Sequence, residues 1–330
     1  MKTFLAGLGA LAALALAAVP AQARVEKVTV HGPSLEGNYE GNSPDRSVMV
    51  FLPPNYDADP DKRYPVVYFL HGFALTDQTY ADYVKMEDAV NEAAAAGNEL
   101  ILVLPDAMTR QRGAMYSDSP TTGNWERFVA RDLVSYVDGR YRTIPDRASR
   151  GLAGHSMGGY GTLRIGQKNP DVFSSLYAMS ACCLSPRTWS TEELNRLSAM
   201  SVEEQKKASF GDAAALASLA AWSPSPEGPN YFDAGVKDGT VDPLVQARTY
   251  AASPIAMLPQ YVSGLKTMKA IALDVGDKDT LVRDDTWMHE ELDRFGVPHQ
   301  WEVYAGDHVN RLTERTRTKV LPFFGKNLAR

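Results

Sequence analysis

The sequence predicts an α/β fold in which a mostly parallel central sheet lies between helices on both faces. Three observations carry that prediction. Short apolar runs, such as YPVVYFL at residues 64–70 and LILVL at residues 100–104, are continuous rather than alternating, as strands covered on both faces require. These runs alternate along the chain with stretches of helical periodicity, the pattern of crossover connections in a parallel sheet. The composition is ordinary for a globular protein: of 330 residues 44% are hydrophobic and 22% charged, which excludes a disordered chain, a collagen-like repeat and a coiled coil.

The elements follow in order. Residues 1–23 read as a secretory leader, with Lys2 as the positive start, an apolar run over 4–19 and the small-x-small site Ala21-Gln22-Ala23. Cleavage there leaves 330 − 23 = 307 residues, and loss of Lys2 takes the formal charge from −6 to −7. No second long apolar run follows, so the mature protein is expected to be exported, periplasmic or secreted, without stable membrane insertion. Residues 25–30 alternate apolar and polar side chains, and 47–52 (SVMVFL) form a run closed by Pro53-Pro54; together they suggest antiparallel strands at one edge. The strand over 64–70 ends at His71-Gly72-Phe73. A helix is expected over 79–96 and a strand over 100–104. A polar loop then leads to an amphipathic helix over 125–141. Strand-like Gly151-Leu152-Ala153 runs into Gly154-His155-Ser156-Met157-Gly158-Gly159 and a helix over 160–167. Later strands are expected over 175–179, 270–274 and 300–304, with helices over 285–295 and 309–329, the last interrupted at Pro322. Residues 184–269 show helical pieces but no clear strand, and read as an insertion in one domain spanning 24–330.

Charge and cysteine content narrow the function. With 34 basic against 40 acidic residues there is no surplus of cations for nucleic acid. The two cysteines, Cys182 and Cys183, are adjacent, so they offer neither a disulfide framework nor a tetrahedral metal site. Oligomeric state is not legible. The expected partner is a small-molecule or carbohydrate ester.

Gly154-His155-Ser156-Met157-Gly158 fits G-x-S-x-G, in which a tight strand-to-helix turn pushes a serine hydroxyl into the open and glycines on either side let backbones pass closely. The hydroxyl needs a base. Of the six histidines, His31, His71, His155, His289, His299 and His308, the last stands out because it lies just beyond the strand at 300–304, where it can reach the same sheet edge. The orienting carboxylate should come from the loop after strand 270–274; spacing leaves Asp277 and Asp279 both open, with Asp274 still on the strand. A calcium site in this loop is the weaker reading, for want of oxygens. The order Ser, Asp, His matches the α/β-hydrolase fold. Two backbone N–H groups should stabilise the developing oxyanion, those of Phe73 and Met157. None of this chemistry calls for a cofactor or metal.

These segments, with YFLHGF at 68–73, MYSD at 115–118, WERF at 125–128, DVGDKD at 274–279 and YAGDH at 304–308, resemble the esterase D-like branch of the α/β-hydrolases over nearly all of residues 25–328. That branch includes S-formylglutathione hydrolases, feruloyl and acetyl xylan esterases, enterochelin esterase-like proteins and mycolyltransferases. The resemblance implies that the acid is the aspartate closing Gly276 to Asp279, hence Asp279, and it supports Phe73 and Met157. It also sets Trp125 near an acyl site, against a reading as helix packing. The aromatics of the insertion, Trp222, Tyr231 and Phe232, are candidates for an acyl pocket or for ordinary packing. The expected function is an exported serine carboxylesterase working through an acyl-enzyme. The alternatives are an acyltransferase of the mycolyltransferase type with the same triad, or a non-catalytic binding protein on the scaffold.

Overall fold

Both expected edge strands form. β1 (Arg24–His31) and β2 (Asp45–Leu52) pair antiparallel, with Arg24 opposite Leu52 and His31 opposite Asp45. The computed structural model describes residues 22–330, so the expected leader, apart from Gln22 and Ala23, lies outside the described residues. Among these, no helix is long and apolar enough to cross a membrane. β3 (Val66–Leu70) is followed by α1 (Asp77–Val84) and α2 (Met86–Ala95), and then by β4 (Ile101–Pro105) and β5 (Arg150–His155). After β5 come α3 (Met157–Lys168), β6 (Ser175–Met179), α4 (Phe210–Trp222), β7 (Ala270–Gly276), α5 (Val282–Arg294) and β8 (Gln300–Tyr304). The strands form one eight-stranded sheet in the order β1-β2-β4-β3-β5-β6-β7-β8. β2 is antiparallel to β4, and every pairing from β4 to β8 is parallel. This is the α/β-hydrolase architecture.

The continuous apolar runs have the expected cause. Val66, Tyr68 and Leu70 of β3 join the hydrophobic cluster on one face, while Val67 and Phe69 join that on the other. Burying a side chain of this kind contributes about 1.5–3 kcal/mol, and the strand buries all five.

Three expectations are corrected. The helix expected over 79–96 is two helices that meet at Lys85, which takes a left-handed conformation (φ 57°) and ends α1 while opening α2. The break lets Val84 and Met86 both reach the core. The insertion is richer in helix than its composition suggests. Beside Thr191–Ser198, Val202–Gln205 and α4 it contains Pro243–Ala252 and Pro254–Leu265. Pro243 and Pro254 occupy first-turn positions, where a missing N–H costs nothing, behind the capping side chains of Asp242 and Ser253. A short ribbon pairs Val236–Lys237 with Thr240–Val241, and Trp189, Leu194, Leu197, Leu216, Leu219 and Phe232 form a separate small hydrophobic cluster. Finally, the C-terminal helix is not broken at Pro322. A π-turn over Thr316–Val320 precedes Leu321–Asn327, whose first turn holds the proline.

Because β3, β5, β6, β7 and β8 are parallel, their C-terminal ends share one rim. Leu70 is level with Gly154, His155 with Met179 and Gly276 with Tyr304.

Candidate active site

Ser156 sits between β5 and α3 with φ 57° and ψ −115°, a conformation disfavoured for an L-residue. Its N–H donates to the Met179 carbonyl at 3.0 Å, and its carbonyl accepts from Tyr160 and Cys182 at 3.0 and 3.1 Å. These bonds, with α3 packed behind, hold the turn. The flanking glycines are obligatory. A Cβ at Gly154 would lie 2.2 Å from the Gly158 carbonyl oxygen, and one at Gly158 would lie 1.9 Å from the Leu70 carbonyl oxygen.

His308, in the loop after β8, places Nε2 3.0 Å from Ser156 Oγ and Nδ1 2.7 Å from Asp279 Oδ2. Asp279 is buried, and its other oxygen accepts the Leu281 N–H at 3.0 Å. Burial pushes this carboxyl up, but the bonds from His308 and the Leu281 N–H outweigh it and hold the group below its usual range. The pair left open by spacing is therefore divided by role. Asp277 accepts the Gly306 N–H at 2.9 Å and donates its own N–H to Tyr304, tying the acid loop to the histidine loop without touching the imidazole. Asp274 remains on β7, buried against Arg315 and Tyr177.

His155, the residue before Ser156, packs beside His308. Its ring lies 4.7 Å from that of His308, and Nε2 donates to the His308 carbonyl at 2.9 Å. Burial, then the neighbouring imidazole, push it down to about 3, so it is neutral. His71 is buried beneath the Phe73 turn. Its Nδ1–H donates to the Gly72 carbonyl and its Nε2 accepts the Ala107 N–H, both at 2.8 Å, which fixes the loop carrying Phe73. His31 pairs with Asp45 and Glu36 on the surface, and His289 and His299 lie near the opposite rim, before β8.

The Phe73 ring and Met157 Sδ both pack against Gly113, within 2.5 and 2.7 Å of where its Cβ would be. Among the described residues neither backbone N–H has a protein acceptor. Ser156 and His308 open into a cavity of about 310 Å³ whose other walls are Gly72, Phe73, Ala74, Leu75, Tyr80, Tyr83, His155, Phe210, Val309 and Leu312. It has no charged side chain on this lining. Hydroxyl, imidazole and buried carboxylate in one hydrogen-bonded line can move a proton off the hydroxyl and stabilise the resulting imidazolium.

The expected pocket aromatics lie elsewhere. Trp125 is fully buried, donates to the Thr122 carbonyl and packs edge-on against Phe128. Trp222 donates to Ser117 and lines a separate cavity beside Cys183. Tyr231 packs on Tyr39, and Phe232 belongs to the insertion's own cluster. The insertion reaches the serine instead through Phe210, 68% exposed and edge-on to Phe73 at 5.5 Å. Its one sequence signal is that it opens an apolar helix after the capping Ser209. Cys182 and Cys183 are free thiols, half-buried, with their sulfurs 2.9 Å apart.

The sequence matches the Esterase family over residues 42–312. An esterase of Mycobacterium tuberculosis is 26% identical over 277 residues, which are 80% of this chain and 52% of that protein. The S-formylglutathione hydrolase of Bos taurus is 27% identical over 153 residues, 41% of this chain and 51% of that protein. The chain thus spans about half the length of the curated relatives it matches. Among solved structures, a ferulic acid esterase superposes with a TM-score of 0.68 at 24% identity, over 94% of this chain and 100% of that one. An S-formylglutathione hydrolase of Staphylococcus aureus does so with 0.60 at 18% identity, over 92% and 99%.

Proposed function

The chain belongs to the Esterase family, and from that premise we propose that it is an exported serine carboxylesterase with Ser156, His308 and Asp279 as its triad. The observation that carries the reading is the continuous line from Ser156 Oγ through His308, at 3.0 and 2.7 Å, to the Asp279 carboxylate. Ser156 Oγ attacks the ester carbonyl carbon while His308 Nε2 takes its proton. The oxyanion so formed is held by the N–H groups of Phe73 and Met157, each such donor worth about 3 kcal/mol of barrier. Collapse breaks the bond to the alcohol oxygen, which takes the proton from His308. Water, deprotonated by His308, then attacks the acyl-enzyme, and the serine regains its proton as the acid leaves. Asp279 keeps the imidazole in the Nδ1–H form and offsets its charge in each step.

The uncharged, largely apolar lining beside Ser156 favours a neutral ester with an apolar portion. Export rests on the leader over residues 1–23. The test is covalent labelling. A fluorophosphonate should modify the folded protein at Ser156, and Ser156→Ala should be neither labelled nor active on p-nitrophenyl acetate while keeping its far-UV spectrum. Folded wild-type protein that resists the probe would leave only the binding-protein reading.

A further inference from the structure

We propose that His289, Asp293 and His299 form a site for a divalent transition-metal cation of the zinc type, at the opposite end of the sheet from Ser156. The argument starts from how α5 ends. Gly296 takes a left-handed conformation (φ 63°), with Gly296 N–H donating to the Asp293 carbonyl and Val297 N–H to that of Leu292, both at 2.9 Å. This reversal, stiffened by Pro298, swings the chain back so that His299 faces the last turns of the helix it has just left. His289 and Asp293 are four positions apart on α5 and so share a face.

The two imidazoles are held as ligands are held. The His299 side chain is 2% exposed. Its Nδ1–H donates to the Val297 carbonyl at 2.8 Å, which leaves the Nε2 lone pair directed at His289 Nδ1, 2.8 Å away. A backbone carbonyl behind one ring nitrogen is the usual way a metal-bound histidine is oriented. The His289 ring is fixed by stacking on Trp301, with centroids 5.1 Å apart and planes 14° from parallel. The exposed Asp293 carboxylate lies 3.7 Å from His289 Nε2 and 3.9 Å from His299 Nδ1, the nitrogens behind the facing pair, and one donor atom from each of the three residues lies within 4.8 Å of the others, so Asp293 reaches the ion by turning its side chain. Without a cation one proton occupies the space between the two rings. Tetrahedral zinc with bonds of about 2.0–2.1 Å needs its nitrogen ligands roughly 3.3 Å apart, so the rings must part by about half an ångström and tilt until both lone pairs meet the ion off the line between them. Two imidazoles and one carboxylate suit zinc or its neighbours better than calcium or magnesium, with water completing the shell. Binding would release the shared proton and clasp the end of α5 to the start of β8, the edge strand that leads to His308.

The experiment is calorimetric titration of Zn²⁺ into the untagged protein after chelator treatment, with thermal unfolding alongside. One saturable site is expected. His289→Gln and His299→Gln should each weaken it at least tenfold, Asp293→Asn should weaken it several-fold, and zinc should raise the Tm of the wild type but not of His289→Gln. His289 is partly exposed on a helix, so its variant decides the matter if His299→Gln fails to fold. The absence of a saturable site overturns the proposal. So does a zinc affinity that survives both histidine substitutions and is lost in His31→Gln, which would move the site to His31, Glu36 and Asp45. Neither readout depends on esterase activity.

Discussion

Asp277 and Asp279 stand two residues apart in one loop, and hydrogen-bond partners alone separate them. Asp279 holds His308, whereas Asp277 holds the backbone of Gly306. Asp279→Asn should therefore lower kcat on p-nitrophenyl acetate by about 10⁴, the size of effect seen when a triad imidazole loses its correct tautomer. Asp277→Asn keeps an oxygen for the Gly306 N–H and should cost only a few-fold. The reverse ranking would assign the acid to Asp277. His155 carries the second prediction. Its folded-state pKa, about 3, lies below the ordinary 6.5 of an unfolded histidine. Between those values the unfolded chain binds a proton that the folded chain refuses, so stability falls as pH drops from 6.5 towards 3, by at most about 1.4 kcal/mol per unit. Urea midpoints measured between pH 7 and pH 5 should show this loss, and His155→Gln should reduce it. An unchanged slope in the variant would mean that other groups carry the acid sensitivity.

Among the elements, α4 connects the insertion to the site. Its first residue, Phe210, leaves an aromatic ring exposed against Phe73, in a wall shared with Tyr83 and Val309, both also exposed. Phe210→Ala should lower kcat/KM for p-nitrophenyl hexanoate more than for the acetate. If Phe210 covers about two of the four extra methylenes, at about 0.8 kcal/mol each, the hexanoate-to-acetate ratio should fall roughly tenfold to fifteenfold. A constant ratio would remove Phe210 from the substrate's path. Most strands were legible because an apolar run bounded by proline or glycine leaves few other readings, as at residues 100–104. The helices Pro243–Ala252 and Pro254–Leu265 were not, because a proline at the first helical position looks the same in sequence as a proline that stops a helix. The break at Lys85 was equally silent, since lysine has no preference for the left-handed conformation it adopts there.

Across the whole molecule, the C-terminal segment is tied to the sheet by one buried cation. Arg315 Nε lies 2.8 Å from Asp274 Oδ2 on β7, and its terminal nitrogen lies 2.9 Å from Glu302 Oε2 on β8. Desolvation raises the Asp274 carboxyl despite this pairing, so its charge depends on Arg315. Arg315→Met should destabilise the protein by about 3–5 kcal/mol in urea, because it leaves a buried carboxylate without its partner, and adding Asp274→Asn should recover part of that loss. A change below about 1 kcal/mol would show that the pair only breaks even with its desolvation.

By itself the sequence determined the layered architecture, the glycine-flanked turn at Ser156 and the chain order of the proposed nucleophile, acid and base. The first two are written in residues a few positions apart, where backbone sterics and side-chain period leave little freedom, and the third is read directly from the order of residues along the chain. Only the tertiary structure decided that Asp277 braces a loop, that His155 packs beside His308, that Trp125 is core, and that Phe210 rather than Trp222, Tyr231 or Phe232 faces the serine. Those are contacts between distant segments, as Ser156 and His308 are at 152 positions apart, and their geometry follows from strand order and loop course, which no local pattern encodes.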